Sequence, residues 1–99
     1  FHEASGALQT ILYKGLIENL LRTPSCAGFQ MLSMTDYSGQ GEALVGWLDS
    51  FWDSKGIITP EQFRCYSNDI VPLARFHKYT WQTDETFKAQ IQVANYIQL

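Results

Sequence analysis

The residues of this chain best placed to do chemistry lie in one short loop, Thr35-Asp36-Tyr37-Ser38-Gly39-Gln40-Gly41. Asp36 supplies a carboxylate that only accepts hydrogen bonds, Tyr37 a ring with a hydroxyl, and Gln40 an amide that both donates and accepts. Together they could hold a ligand rich in hydroxyl groups. Asp36 also suits a local task, because Asp often orders a turn by accepting from nearby backbone N–H groups. Gly39-Gln40-Gly41 lacks the GxGxxG spacing and the following Lys-Ser/Thr of a phosphate cradle, so it reads as a tight turn between a strand and a helix.

Other reactive residue types are scattered. His77 stands between Phe76 and Lys78 with no second ligand at useful spacing, which does not make a metal site. Ser5, Ser33 and Ser38 lack the GxSxG context of a serine nucleophile. Cys26 and Cys65 have no CxxC spacing, so zinc binding is not expected. Two buried free thiols are the expectation for them, and a single disulfide is the alternative. The residues therefore point to no catalytic side chain, no metal and no cofactor within the chain. Trp47, Phe51 and Trp52 could form an aromatic platform, but on a helix such residues more often pack.

Composition narrows the class. The chain has 99 residues, 45% hydrophobic and 17% charged, with a net charge of -3. That is a globular composition. Without a cluster of Lys and Arg to neutralise phosphates, a nucleic-acid partner is not expected. The apolar runs are far shorter than the roughly 20 residues that span a bilayer, so no membrane span is expected.

The elements that would position the loop follow from periodicity. Leu8, Ile11, Leu12, Leu16 and Leu20, widened by Ile17 and Leu21, predict a helix over 3–22 with that stripe buried. Phe1 and Ala4 continue the stripe backwards, so the helix is expected to begin before Phe1; Ser5 as a cap is the alternative. Pro24 should stop the helix at Thr23. Phe29–Met34, apolar on both faces, predicts a central strand. From Gly41 or Glu42 to Lys55 the spacing predicts a second helix, apolar nearly all round, with Gly56 as its left-handed stop. Thr59-Pro60-Glu61-Gln62 has the form of a capping box and predicts a short helix from Pro60 to about Ser67. Ile70–Phe76, which contains Pro72, reads as a linker or edge segment. Trp81–Glu85 reads as a polar turn. Phe87, Ala89, Ile91 and Val93 alternate with polar residues and predict a strand burying that apolar face.

These elements do not close a sheet by themselves. The chain does not begin with Met, and the central strand and the last strand would both lack neighbours. The expectation is a piece of a longer α/β protein: the last helix-strand-helix units of a (β/α)8 barrel, leading into the first strand of a β-sandwich. In this reading residues 1–67 belong to the barrel, 68–80 are a linker and 81–99 begin the accessory domain. Barrel chemistry sits in the loops after the strands, which gives the loop 35–41 its interest.

Many short segments agree, in order and spacing, with one group of proteins. They include Ala4-Ser5-Gly6-Ala7-Leu8-Gln9, Leu21-Arg22-Thr23-Pro24, Gly28-Phe29-Gln30, Gly39-Gln40-Gly41 and Ala43-Leu44-Val45-Gly46. Phe51-Trp52-Asp53-Ser54-Lys55-Gly56, Ile58-Thr59-Pro60-Glu61 and Thr83-Asp84-Glu85-Thr86-Phe87 continue the match. The chain thereby resembles the C-terminal barrel segment of the family-two-like, β-galactosidase-related glycoside hydrolases common in gut Bacteroidetes. The resemblance implies retaining hydrolysis of O-glycosidic bonds in oligo- or polysaccharides by an acid and a nucleophile carboxylate held close together. It places residues 29–34 as the eighth strand and both carboxylates outside this chain. His2-Glu3 resembles the pair that ends the seventh strand, but the stripe through Phe1 and Ala4 sets it in a helix. A carbohydrate substrate, with Asp36, Tyr37 and Gln40 as its contacts, is then expected. So are the missing barrel strands and β domain of the parent chain as partners, and a periplasmic or extracellular location. Met31–Met34 holds no Trp where β-galactosidase relatives stack a sugar, which speaks against galactosides. A non-catalytic carbohydrate-binding or scaffold protein on a degenerate barrel is the alternative, and an independent α+β interaction domain is a third reading.

Overall fold

The computed structural model describes residues 1–41 and 44–97. Helix α1 spans His2–Arg22 and helix α2 Pro60–Arg64; strands β1 (Ile70–Arg75) and β2 (Gln90–Asn95) form one two-stranded antiparallel sheet. No helix-strand-helix unit of a (β/α)8 barrel is present among the described residues, and the expectation of a partial barrel leading into a β-sandwich is corrected accordingly.

The long helix forms where the periodicity places it. Phe1 is its N-cap with no side-chain cap bond, and the Ser5 hydroxyl instead donates to the His2 carbonyl within the first turn. Thr23 leaves the helix in an extended conformation (φ -83°, ψ 117°), as the steric demand of Pro24 requires. Glu18 joins two successive turns, pairing with Lys14 at 2.8 Å and Arg22 at 3.2 Å. Such pairs add a few tenths of a kcal/mol each, about 0.3–0.5.

The buried face of α1 keeps only the edge of the expected stripe, Ile17 and Leu21. Gly6 and Ile17 are buried and Leu21 packs against the sheet core, whereas Leu8, Ile11, Leu12 and Leu16 are 56–66% exposed. The contact side is tight: a Cβ at Gly6 would overlap the Ile57 side chain.

Residues 29–34 form no strand: the backbone bends at Leu32 and Met34, and Ser33 takes a left-handed conformation (φ 69°). Thr35 alone makes a bridge, parallel, to Leu48. The expected second helix is also absent over 44–55; its first residues, Glu42 and Ala43, lie outside the described residues. In its place, Leu48 and Ser54 bridge antiparallel around a tight turn. The physical reason is competition from side chains that bond local backbone. The Asp49 carboxylate accepts from the N–H groups of Phe51 (2.8 Å) and Asp53 (3.0 Å), and the Ser54 hydroxyl accepts from Gly56 N–H (3.1 Å). Gly56 does adopt the left-handed φ of 72°, but it ends this turn and not a helix.

The capping box of α2 is present as expected. Gln62 N–H donates to the Thr59 hydroxyl (3.2 Å), and Thr59 N–H donates to Gln62 Oε1 (2.9 Å). The helix stops at Arg64, short of Ser67.

Ile70–Arg75, read as a linker or edge, is β1. It pairs with β2 in a register that sets Val71 opposite Ala94 and Leu73 opposite Gln92. Val71 (0% exposed), Leu73 (3%) and Ala94 (8%) form the core under Leu21. This inverts the expected burial of the last strand, since Ile91 and Val93 are 68% and 62% exposed. The period of two is right and the face is the opposite one: Val93 and Ile91 share a face with Pro72 and Ala74, and Leu21 of α1 packs on the other. Arg22 secures that packing through Nη2, which donates to the Ala74 carbonyl at 2.9 Å.

Leu73→Ala is expected to destabilise the fold by about 2–3 kcal/mol, and Ile91→Ala by less than about 0.5 kcal/mol. Urea denaturation of the two variants checks this. A larger loss for Ile91→Ala would mean that β2 faces inward through its odd-numbered residues.

Candidate functional site

Asp36 follows the bridge residue Thr35 and turns its carboxylate toward the segment 44–55. Oδ1 accepts from Gly46 N–H at 2.8 Å and from Lys55 Nζ at 2.6 Å. Lys55 also reaches the Leu44 carbonyl at 3.4 Å, and its backbone N–H donates to the Trp47 carbonyl at 3.3 Å. The backbone closes the same junction: Leu48 N–H donates to Met34 O and Asp36 N–H to Leu48 O, both at 3.0 Å. One carboxylate thus ties together the stretches around residues 36, 46 and 55. Close approach is possible because residue 46 is Gly, where a Cβ would lie 2.6 Å from the Thr35 carbonyl carbon.

The arrangement has an electrostatic signature. The Asp36 and Lys55 side chains are 10% and 15% exposed, so the pair is shielded more than a surface ion pair. The Lys55 ammonium lowers the pKa of Asp36, desolvation opposes it, and Gly46 N–H and the field of Lys55 add to the lowering.

The other expected contacts face solvent. Tyr37 is 60% exposed and Gln40 is exposed. The Tyr37 ring lies against Gly39, where any Cβ would overlap it. The loop therefore presents a tyrosine ring and an amide beside a carboxylate that is already engaged.

Beneath the junction, Trp47 is 6% exposed. Its ring lies 5.0 Å from Tyr13 and 6.3 Å from Phe63, and its Nε1 donates to Met31 Sδ at 3.4 Å. Phe63 continues to Tyr66 at 5.3 Å. Tyr66 is buried, and desolvation raises its pKa. Of the three aromatic residues considered as a platform, Trp47 is a packing residue, while Phe51 and Trp52 are 85% and 71% exposed on the 49–53 turn.

A second site, not expected from the sequence, lies where the hairpin between β1 and β2 leaves the sheet. Phe76 contacts Tyr79 and Phe87 with ring centroids 5.2 Å and 5.7 Å apart, and Trp81 contacts Phe87 at 5.2 Å. Trp81 Nε1 donates to the Lys78 carbonyl at 2.8 Å, and Glu85 Oε2 accepts from Gln82 N–H at 2.7 Å. The Lys78 ammonium pairs with Glu85 and sits 4.9 Å from the Trp81 ring centroid. The Gln82 N–H and then Lys78 hold the Glu85 pKa below its ordinary value. Beside this cluster opens a cavity of about 730 Å³ lined by Arg75, Phe76, His77, Trp81, Lys88 and Gln90, among others. Trp81 opens the stretch that reads from the sequence as a polar turn. The density of aromatic residues over 76–87 was the available signal, and strand pairing turned it into a groove.

Among the described residues no group of His, Cys, Asp and Glu could hold a metal ion, and no helix is long and apolar enough to cross a membrane. Both cysteines are free; Cys26 is half-buried and Cys65 exposed, where burial of both was expected.

Two outcomes test the Asp36 junction. Asp36→Asn is expected to lower Tm at pH 7. The carboxylate's contribution is fully present above its unfolded pKa of about 3.9 and disappears as pH falls through the lower folded value. The Tm gap between wild type and variant should therefore close below about pH 3.9; a gap unchanged down to pH 2 would contradict the ion pair. Gly46→Ala should lower Tm at every pH, which differential scanning calorimetry would show.

Compared with known proteins, the chain matches no protein-family model and none of the curated proteins. The resemblance to glycoside hydrolases accordingly stands on the sequence segments quoted above.

Proposed function

We propose that this chain belongs to a protein that hydrolyses O-glycosidic bonds in oligo- or polysaccharides, and that its own part is to hold glycan and not to cleave it. The segment-by-segment resemblance to glycoside hydrolases supports the first half. The observation that carries the second is the engagement of its carboxylates. Retaining cleavage needs two carboxyl groups about 5–5.5 Å apart, one free to protonate and the other to attack. Here each half-buried carboxylate among the described residues already has protein partners: Glu18 pairs through both oxygens with Lys14 and Arg22, Asp36 accepts at Oδ1 from Lys55 and Gly46, and Asp49 accepts at Oδ1 from backbone N–H groups of its own turn. The acid and the nucleophile come from other parts of the parent chain, which acts in the periplasm or outside the cell, where polymeric glycans are met.

Glycan handling fits the two exposed sites. A sugar ring has apolar C–H faces edged by hydroxyl groups, and amphipathic aromatic residues beside polar side chains suit both. Tyr37 with Gln40 offers one such pairing, and the hairpin groove a second.

A different observation favours a second reading. Leu8, Ile11, Leu12 and Leu16 leave an apolar stripe exposed along α1, and contiguous exposed apolar surface commonly marks a contact with another polypeptide. Under that reading the chain is an interaction segment without affinity for sugar.

A panel of immobilised oligosaccharides separates the two. At least one sugar is expected to bind with a Kd of about 1 mM or tighter, equivalent to about -4 kcal/mol, while aryl glycosides incubated with the chain alone release no product. Absence of binding across the panel would sink the glycan reading, and hydrolysis by the chain alone would sink the non-catalytic assignment.

A further inference from the structure

We propose that the groove at the open end of the β1–β2 hairpin binds an acidic glycan, through a sugar unit bearing a carboxylate or sulfate group. The inference rests on the glycan reading above and deepens it by naming a site and a substrate class.

The groove combines an apolar lining with uncompensated positive charge. Phe76 and Trp81 line it as rings, and the Trp81 indole N–H is already used by the Lys78 carbonyl. Trp81 is therefore fixed in place and presents mainly ring surface. The lining carboxylate, Glu85, is neutralised locally by Lys78 and by the Gln82 N–H. The charges left over are cationic. Arg75 uses only Nε, toward Gln92 Oε1 at 3.4 Å, and Lys88 makes no hydrogen bond or ion pair among the described residues. Arg75 pairs directly with Gln90 across the sheet, and both residues line the groove at the last rung of the ladder. Guanidinium is the side chain best shaped for carboxylate and sulfate-type oxygens.

This local excess of cations contrasts with a chain whose net charge is -3. The contrast favours a small anionic unit over a polyanion. A nucleic acid would draw on a broad basic surface, whereas one acidic sugar needs one or two cations, an apolar face to rest on and hydroxyl partners such as Gln90. A cavity of about 730 Å³ lies within the range of about 300–1,000 Å³ typical of small-molecule sites.

The test is calorimetric titration of the whole protein with a galacturonic acid tetramer and with the same tetramer fully methyl-esterified, which keeps the rings and removes the charge. The acid form is expected to bind at least tenfold more tightly than the ester, and to weaken as NaCl is raised. Lys88→Glu and Arg75→Gln should each reduce its affinity on the order of tenfold, with Tm unchanged in Lys88→Glu because that side chain supports nothing else in the fold. A sulfated disaccharide titrated in parallel tells carboxylate from sulfate recognition; binding of either that is lost in Lys88→Glu supports the proposal. Equal binding of acid and ester, or binding indifferent to both substitutions, overturns the site and its charge preference while leaving the glycan reading standing. So does an oligothymidylate that binds more tightly than the acidic sugars and is lost in Lys88→Glu. Failure of every sugar to bind overturns both.

Discussion

The Asp36 carboxylate is the interaction on which the arrangement of the loops depends. It accepts from the Gly46 N–H and the Lys55 ammonium together, and so holds at one point three stretches with no extended secondary structure among them. Trp47 follows Gly46 directly and is thereby delivered beneath α1, where its ring meets Tyr13 and Phe63. No named strand or helix runs through residues 44–56, so there the hydrophobic contact and the ion pair need each other. The pair fixes the backbone that carries the ring, and the ring anchors that backbone against α1 through Tyr13. A shielded pair of this kind is costly to break from one side, because the remaining charge is left without its partner.

The other half rests on a different constraint, the pairing of two short strands around a built hairpin. Fourteen residues of loop separate β1 from β2 (76–89), and closing it costs entropy. The Phe76–Phe87 contact, the Lys78–Glu85 ion pair and the Trp81 bond to the Lys78 carbonyl give the loop internal structure that offsets that cost. The same contacts shape the groove beside it. Val71, Leu73 and Ala94 then turn toward Leu21 of α1, and the remaining faces of sheet and helix stay open.

These two constraints assign different functional weight to residues of similar type. Asp36 has the residue type and the position of a ligand contact, yet the accepting capacity of its Oδ1 is taken by Gly46 and Lys55. Tyr37 and Gln40 keep theirs. Lys78 and Lys88 stand ten positions apart in the same loop region, but one is paired and the other has no partner among the described residues, so of the two only Lys88 contributes net charge to the groove. Function in such a site is read from what each polar group has left after the fold has used it.

Local signals were legible in the sequence wherever the physics is local. The extent of α1, its stop before Pro24, the capping box at Thr59–Gln62 and the left-handed Gly56 all depend on residues a few positions apart. The period of two in the last strand is of the same kind. What sequence by itself left open was everything set by a distant partner. The leucine stripe of α1 and the Ile91–Val93 face both have the right period for burial, but periodicity states only that two faces differ, and the elements that arrive decide which one is covered. The stretch 44–55 reads as a helix by its apolar content; Asp49 and Ser54 gave the backbone closer partners, and Asp36 and Lys55 closed the turn from opposite ends. The expected barrel failed for this reason: its central strand needs neighbours on both sides, and tertiary structure supplied it with a single bridge to Leu48. The hairpin groove was out of reach for the same reason, since Arg75 and Gln90 become neighbours only when β1 and β2 pair.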